Sequence, residues 1–193
     1  MGFIIEDFRS AALDNWYWFE EAFKPEEFDA LEKLQATIPF NKAAISSETD
    51  ESYRKSEIKW LEQGNPQCRW LYEKFVTLVT EANSALWHFE LTGIFDDLQY
   101  TVYHEGGGHY DWHMDTGSGV FSKRKVSITL QLSEPDEYEG GDFEFLLGKD
   151  LTRLPRKKGC AIIFPSFFLH RVAPVTRGIR KSLVLWISGQ PYR

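Results

Sequence analysis

The sequence predicts an α+β fold that is mostly β, with a double-sheet barrel or jelly roll buttressed by N-terminal helices. Three observations predict it. Apolar residues recur at helical spacing in the first half of the chain, and from about Leu98 the period changes to two. Aromatic residues, which favour pleated sheets, make up 16% of the chain. Helices followed by many short strands are typical of a barrel or sandwich that carries helices outside it.

Two helices are predicted in the first half of the chain. The first begins at Pro25, which suits the first helical position and is followed by acidic residues, and it ends before Pro39. The second runs from about Pro66 to Trp87 and carries a continuous apolar stripe. The segment between them, 41–57, is polar, and we predict that it is a loop.

Short strands separated by turn residues fill the second half. Alternating or continuous apolar runs predict strands at 98–102, 126–132, 143–147, 161–164 and 182–188. Glycine-rich or proline-containing turn signals lie between these runs, at 106–108, 117–119, 135–136 and 177–178.

Length and charge limit the classes of function. We expect 193 residues to form a single domain over 1–193, with helical support over about 1–95 and a β core over 96–190. The formal net charge of −7 argues against a general nucleic-acid binder, because that affinity depends on neutralising phosphates. Two cysteines are too few for a disulfide framework, and no long apolar run indicates a membrane span. We therefore expect a soluble cytoplasmic protein.

Two histidines and an aspartate form the first chemical motif. In His113-Met114-Asp115, side chains two residues apart on an extended backbone point to the same side, so they can converge on one cation. His170 follows a predicted buried strand. Two histidines and one carboxylate form the facial triad of iron(II) oxygenases, which leaves half of the metal's coordination sphere open. Each feature alone is weak, but their order on predicted strands makes the combination specific.

Arg180-Lys181-Ser182 lies ten residues beyond this histidine and forms the second motif. On a strand Arg180 and Ser182 share a face, and the guanidinium fork matches a carboxylate in two hydrogen bonds. A dicarboxylate cosubstrate needs such an arrangement, because one end chelates the metal while the other end docks on a cation. Lys181 should face the opposite way. Arg177 is a competing anion partner, which we rank below Arg180.

At these residues the chain resembles the 2-oxoglutarate/iron(II) dioxygenase superfamily, in its prolyl 4-hydroxylase-like branch with the PKHD-type hydroxylases. The likeness extends from about Arg54 to Ile187 and is strongest in Leu98-Gln99-Tyr100, in 107–115 and in 170–180. The resemblance implies a double-stranded β-helix, a cupin-like jelly roll. It also implies iron(II) on His113, Asp115 and His170, and 2-oxoglutarate with its distal carboxylate on Arg180 and Ser182.

Further site residues follow from the resemblance. It assigns Tyr103 a contact with the cosubstrate and makes Thr129 and Gln131 candidate pocket residues. Phe164, Phe167, Phe168 and Trp186 are expected to form an apolar enclosure. Besides iron(II) and 2-oxoglutarate, the resemblance implies dioxygen as a substrate and ascorbate as a stimulant.

The implied reaction is hydroxylation of an unactivated C–H bond, with a peptidyl side chain such as proline as the favoured substrate. An AlkB-like nucleic-acid demethylase and a small-metabolite hydroxylase are the alternatives within this class, and the acidic balance disfavours the former. A non-redox cupin-type metalloenzyme would need a further ligand, for which His109 is the candidate. The expected partners are a peptide, protein or small-molecule substrate, and a homo-oligomer is left open.

Overall fold

A computed structural model describes residues 15–42 and 50–190 of the chain. Two helices form where the sequence predicts them. Helix α1 spans Pro25–Ala36, and helix α2 spans Arg69–Ala85 after a 3₁₀ turn at Pro66–Cys68. Proline begins α1, and the carboxylate of Glu27 accepts a hydrogen bond of 2.7 Å from the N–H of Lys24, an otherwise unpaired donor at the helix start.

Thirteen strands are present in the described residues. In chain order they are β1 (Tyr17–Phe19), β2 (Asn41–Lys42), β3 (Arg54–Lys55), β4 (Glu57–Leu61), β5 (Leu91–Gly93), β6 (Leu98–His104), β7 (Gly108–His113), β8 (Arg124–Gln131), β9 (Tyr138–Gly140), β10 (Phe143–Leu147), β11 (Asp150–Arg153), β12 (Ala161–Pro165) and β13 (His170–Gly189). Another 3₁₀ turn, Gly119–Lys123, precedes β8.

Strand β13 belongs to two sheets and joins them. Its second half lies between β8 and β6 in the first sheet, whose order is β1-β12-β8-β13-β6-β4-β2. Its first half pairs with β10, β7 and β9 in the second sheet, where β11 and β3 form outer strands. All pairings are antiparallel, and the predicted double-stranded β-helix is confirmed.

Two predictions made from the sequence are wrong, one about the segment 41–57 and one about Arg177-Gly178. The segment 41–57 is not simply a loop, since it contains β2, β3 and the start of β4, while 43–49 lies outside the described residues. Its strands are short and polar, so their partners rather than their own periodicity determine them. Arg177-Gly178 is not a turn either, because β13 runs through it. Gly178 has a φ of +74°, and a side chain there would collide with the carbonyl oxygen of Glu137.

The first sheet is buried on both faces, and strand alternation gives the two faces different characters. On β8, Val126, Ile128 and Leu130 belong to the core that packs against α1 and α2. The residues between them point inward, towards the second sheet, and they are polar. Such buried polar groups need partners. Their position between the sheets marks where a site can form.

The region before residue 96 supplies both helices, and it also supplies strands β1 to β5. The division into helical support and β core therefore stays a prediction. Neither helix of the described ranges combines the length and the apolar character that crossing a membrane requires.

Candidate active site

A cavity lies between the two sheets, and side chains from both sheets line it. Its charged or titratable wall residues are Arg54, His113, Asp115, His170 and Arg180, with Ser182 and Thr129 as neutral polar neighbours. Its aromatic wall residues are Tyr103, Tyr110, Phe143, Phe164 and Trp186. The cavity is thus mostly apolar, with its polar groups gathered at a few points.

His113, Asp115 and His170 meet at one point of this cavity. His113 ends β7, His170 begins β13, and the two are direct partners in the strand register. Asp115 lies in the bend after β7 rather than on the strand, and its N–H donates to the carbonyl oxygen of Ser166 over 2.9 Å. Its carboxylate oxygens lie 3.8 Å from Nε2 of His113 and 3.6 Å from Nε2 of His170. One ligand atom from each side chain lies within 4.8 Å of the others.

Backbone carbonyls determine which imidazole nitrogens face this point. Nδ1 of His113 lies 2.7 Å from the carbonyl oxygen of Asp111, and Nδ1 of His170 lies 2.8 Å from that of Phe168. Because a carbonyl oxygen only accepts, each neutral ring carries its hydrogen on Nδ1. Each Nε2 therefore presents a free lone pair to the shared point, as a metal ligand must.

The charge states of these groups also suit a cation. Burial, together with the nearby His170, lowers the pKa of His113 to about 3, so this ring is neutral near pH 7. Burial opposes ionisation of Asp115, but the two imidazoles and the hydroxyl of Ser127 hold its pKa below the ordinary value. That hydroxyl donates to Oδ2 of Asp115 over 2.6 Å. Two neutral imidazoles and one carboxylate are the donor set of iron(II) facial triads.

Arg180 is a buried cation without an anion. Its side chain is 1% exposed, and Nη2 donates to Oε1 of Gln131 over 2.9 Å. Its Nε and Nη1 have no hydrogen-bond partner, and within the described ranges no carboxylate lies at ion-pair distance. Ser182 is buried on the same face of β13, and the Arg180 guanidinium lies 5.4 Å from the ring centre of Tyr103. A guanidinium left in this state is costly, so the cavity fits a ligand carboxylate here.

A model of the 2OG-Fe(II) oxygenase superfamily matches residues 98–188, which include His113, Asp115, His170 and Arg180. Residues 98–188 are therefore similar to the 2OG-Fe(II) oxygenase superfamily. Over 93 residues it is 41% identical to a PKHD-type hydroxylase of Paraburkholderia phymatum, a match that covers 44% of this chain and 40% of that protein. The chain thus matches well under half the length of this curated relative.

Solved structures share the fold of this chain. A prolyl hydroxylase from Trichoplax adhaerens, in complex with a hypoxia inducible factor peptide fragment, superposes with a TM-score of 0.75 at 16% identity, covering 91% of this chain and 84% of that one. A prolyl-4-hydroxylase from Pseudomonas putida gives a TM-score of 0.68 at 23% identity, covering 91% and 92%. At these identities the likeness concerns the fold.

The other site residues predicted from the sequence lie as follows. Tyr103 and Thr129 line the cavity, whereas Gln131 acts one step behind it by holding Arg180. Arg177 is exposed and pairs with Glu139 over 2.8 Å, whereas Arg180 lines the cavity. Of the four aromatic residues expected in an enclosure, Phe164 and Trp186 line the cavity, while Phe167 and Phe168 pack behind it.

His109, the candidate for a fourth ligand, lies apart from the other two histidines. Its ring nitrogens lie 2.8 Å from the carbonyl oxygen of Gly107 and 3.0 Å from that of Ser52. In the described part of the chain, the residues that could share a metal here are therefore the three predicted from the motif.

Arg54 and Ser127 are among the site residues that the sequence did not predict. Arg54 lines the cavity from β3, in the segment interpreted as a loop. Ser127 holds Asp115 and is bonded in turn to Ser166, with 2.9 Å between the hydroxyl oxygens. The sequence does contain a signal for Ser127. This residue lies between the apolar Val126 and Ile128 on a predicted strand, so its side chain points to the opposite face from theirs. The sequence contains no comparable signal for Arg54.

Proposed function

We propose that the protein is an iron(II)- and 2-oxoglutarate-dependent hydroxylase, as its similarity to this superfamily suggests. One observation carries the proposal. The same cavity contains three converging metal-ligand side chains and a buried guanidinium with two unpaired nitrogens. A metal site alone would suit many enzymes, and a buried arginine alone would suit many anions. Their combination suits a metal-chelating dicarboxylate.

The triad would hold iron(II) through Nε2 of His113 and His170 and a carboxylate oxygen of Asp115. Bound iron would supply activation of dioxygen, coupled to decarboxylation of 2-oxoglutarate to succinate. The protein's own contribution is to keep His113 neutral, to fix both rings through their Nδ1–H bonds, and to leave one side of the triad towards the cavity. Ser127 would orient the carboxylate.

Arg180 and Ser182 would hold the distal carboxylate of 2-oxoglutarate, with Gln131 fixing the guanidinium. Burial strengthens such a charge-assisted pair, because water does not compete for it. Phe143, Phe164 and the neighbouring apolar wall would exclude water from the reacting centre. The ring centre of Tyr103 lies 5.4 Å from the guanidinium, and Tyr103 would close the cosubstrate end.

For the substrate we propose a peptidyl side chain, with proline the first candidate, on the basis of the prolyl hydroxylases among the structural neighbours. Nucleic acid is a poor second candidate. The basic residues of 153–157 are engaged by acids, since Arg153 pairs with Glu144, Arg156 with Asp142 and Lys157 with Glu20 and Glu21. They do not form a free basic groove for a phosphate backbone. A cytoplasmic location stays a proposal as well.

The test is anaerobic reconstitution with iron(II), followed by aerobic turnover against pools of peptides, amino acids and nucleotides. We expect succinate formation coupled to the gain of one oxygen atom by one component. Asp115→Ala should abolish this coupled succinate, while Arg180→Gln should mainly raise the 2-oxoglutarate concentration that is required. Arg177→Gln, at an exposed site, is the matched control. Normal turnover by the Asp115 variant would refute the triad.

A further inference from the structure

A second buried guanidinium, that of Arg54, lines the same cavity. Its side chain is 8% exposed and lies 4.4 Å over the ring of Tyr110. Nε donates to the hydroxyl of Ser56 over 3.0 Å, and Nη2 donates to Oε1 of Gln99 over 2.7 Å. Both partners are neutral, and no carboxylate in the described ranges lies within ion-pair distance of it. Arg54 is therefore a fixed cation whose charge no acidic side chain of the described residues balances.

The charges around the cavity give an excess of one positive charge. Three wall residues carry charge near neutral pH: Arg54 and Arg180 are positive, and Asp115 is negative. Iron(II) and doubly ionised 2-oxoglutarate would cancel each other. With both bound, one guanidinium remains without an anion in a cavity of low dielectric, where an unbalanced charge is costly.

The two guanidiniums are anchored at different positions along strand β6. Arg54 is bonded to Gln99 and Arg180 is paired with Tyr103, both on the inward face of β6. These strand residues are four positions apart, or about 13 Å along an extended chain. If Arg180 binds the cosubstrate, Arg54 remains for a different ligand.

We propose that Arg54 binds a carboxylate of the substrate, so that the substrate is an acid: a free amino acid, or a peptide with an acidic side chain or a C-terminal carboxylate near the reacting carbon. This inference rests on the proposed function and adds the chemical class of its substrate. Gln99 and Ser56 hold the guanidinium in place before the substrate arrives, and the stacked Tyr110 restricts its tilt. A preorganised fork of this kind favours a carboxylate over a neutral amide.

The test uses protein loaded with Mn(II), a redox-inert substitute for iron(II), and 2-oxoglutarate. Paramagnetic broadening of proton NMR lines then reports which probes lie near the metal. The probes are matched pairs: each amino acid with its amide, Ac-Pro-Glu-NH2 with Ac-Pro-Gln-NH2, and Ac-Ala-Pro-OH with Ac-Ala-Pro-NH2. We expect broadening of acids and not of the matching amides. The pair that responds identifies the source of the carboxylate.

Arg54→Gln should weaken binding of the responding acid by about thirtyfold or more, because it removes one partner of a buried charge pair. Broadening of 2-oxoglutarate should be unchanged in this variant. Arg54→Lys, which keeps the charge without the fork, should give an intermediate loss, and Arg177→Gln none.

Equal broadening of acids and amides would overturn the proposal. So would broadening of no acid, or acid binding in Arg54→Gln equal to that of the wild type. Failure of the wild type to broaden 2-oxoglutarate is a separate result, and it would overturn the proposed function itself.

Discussion

Replacing Arg180 should stabilise the ligand-free protein while it removes cosubstrate binding. Each unsatisfied buried donor costs about 1–3 kcal/mol, so the unpaired Nε and Nη1 together oppose folding by about 2–6 kcal/mol. Lost packing of the side-chain stem and water in the cavity offset part of this gain. We therefore expect Arg180→Met to raise the free energy of unfolding by about 1–3 kcal/mol, or about 2–4 °C in Tm for each kcal/mol.

Arg180→Met should weaken 2-oxoglutarate binding, although it should raise the stability of the ligand-free protein. Removing one partner of a buried charge pair costs at least about 2 kcal/mol, so the Kd for 2-oxoglutarate should rise about thirtyfold or more. Urea unfolding followed by circular dichroism measures both effects, with and without Mn(II) and 2-oxoglutarate. At one hundred times its Kd the cosubstrate should stabilise the wild type by about 2.7 kcal/mol. The same concentration should hardly stabilise the variant.

Arg177→Met is the matched control for this experiment. The Arg177 side chain is 66% exposed and pairs with Glu139 at the surface, so neither stability nor binding should change appreciably. The reasoning would be refuted if Arg180→Met were less stable than the wild type without ligand. It would also be refuted if 2-oxoglutarate stabilised the variant as strongly as the wild type.

Three further predictions concern pH, the metal site and the second sheet. As pH falls from about 6.5 to about 3, the unfolded chain protonates His113 while the folded chain does not, so ligand-free stability should fall. His113→Gln should reduce this slope by up to about 1.4 kcal/mol per pH unit in urea titrations. Ser127→Ala should weaken Mn(II) binding about 10–100-fold in calorimetry, because Asp115 loses its 2.6 Å hydrogen bond. Glu144→Gln should cost about 1.5–3 kcal/mol of unfolding free energy, because the buried carboxylate loses its 2.7 Å charged bond from Arg171.

Each of these has an outcome that contradicts it. An unchanged pH slope in His113→Gln would show that this ring is not the group held neutral by burial. Metal affinity in Ser127→Ala equal to that of Ser118→Ala, an exposed serine replaced in the same way, would remove the orienting role. Wild-type stability of Glu144→Gln would mean that the arginines around this carboxylate contribute little.

The sequence by itself determined the local features of this protein. Prolines and apolar periodicity place both helices, and alternation of period two places the main strands, because these patterns act over a few neighbouring residues. The shared face of Arg180 and Ser182 likewise follows from two residues on one extended strand, whereas Asp115 approaches His113 from the bend after β7. The order of these motifs along the chain suffices to suggest the family and its chemistry.

Only the tertiary structure decided what distant segments do to one another. The short polar strand that carries Arg54 exists because β7 pairs with it, and Gln99 then fixes the side chain in the cavity. The lack of an anion beside Arg180 and the bond from Ser127 to Asp115 are also properties of side chains far apart in sequence. Local periodicity carries no information about such partners, because burial and long-range pairing select them after the chain has folded.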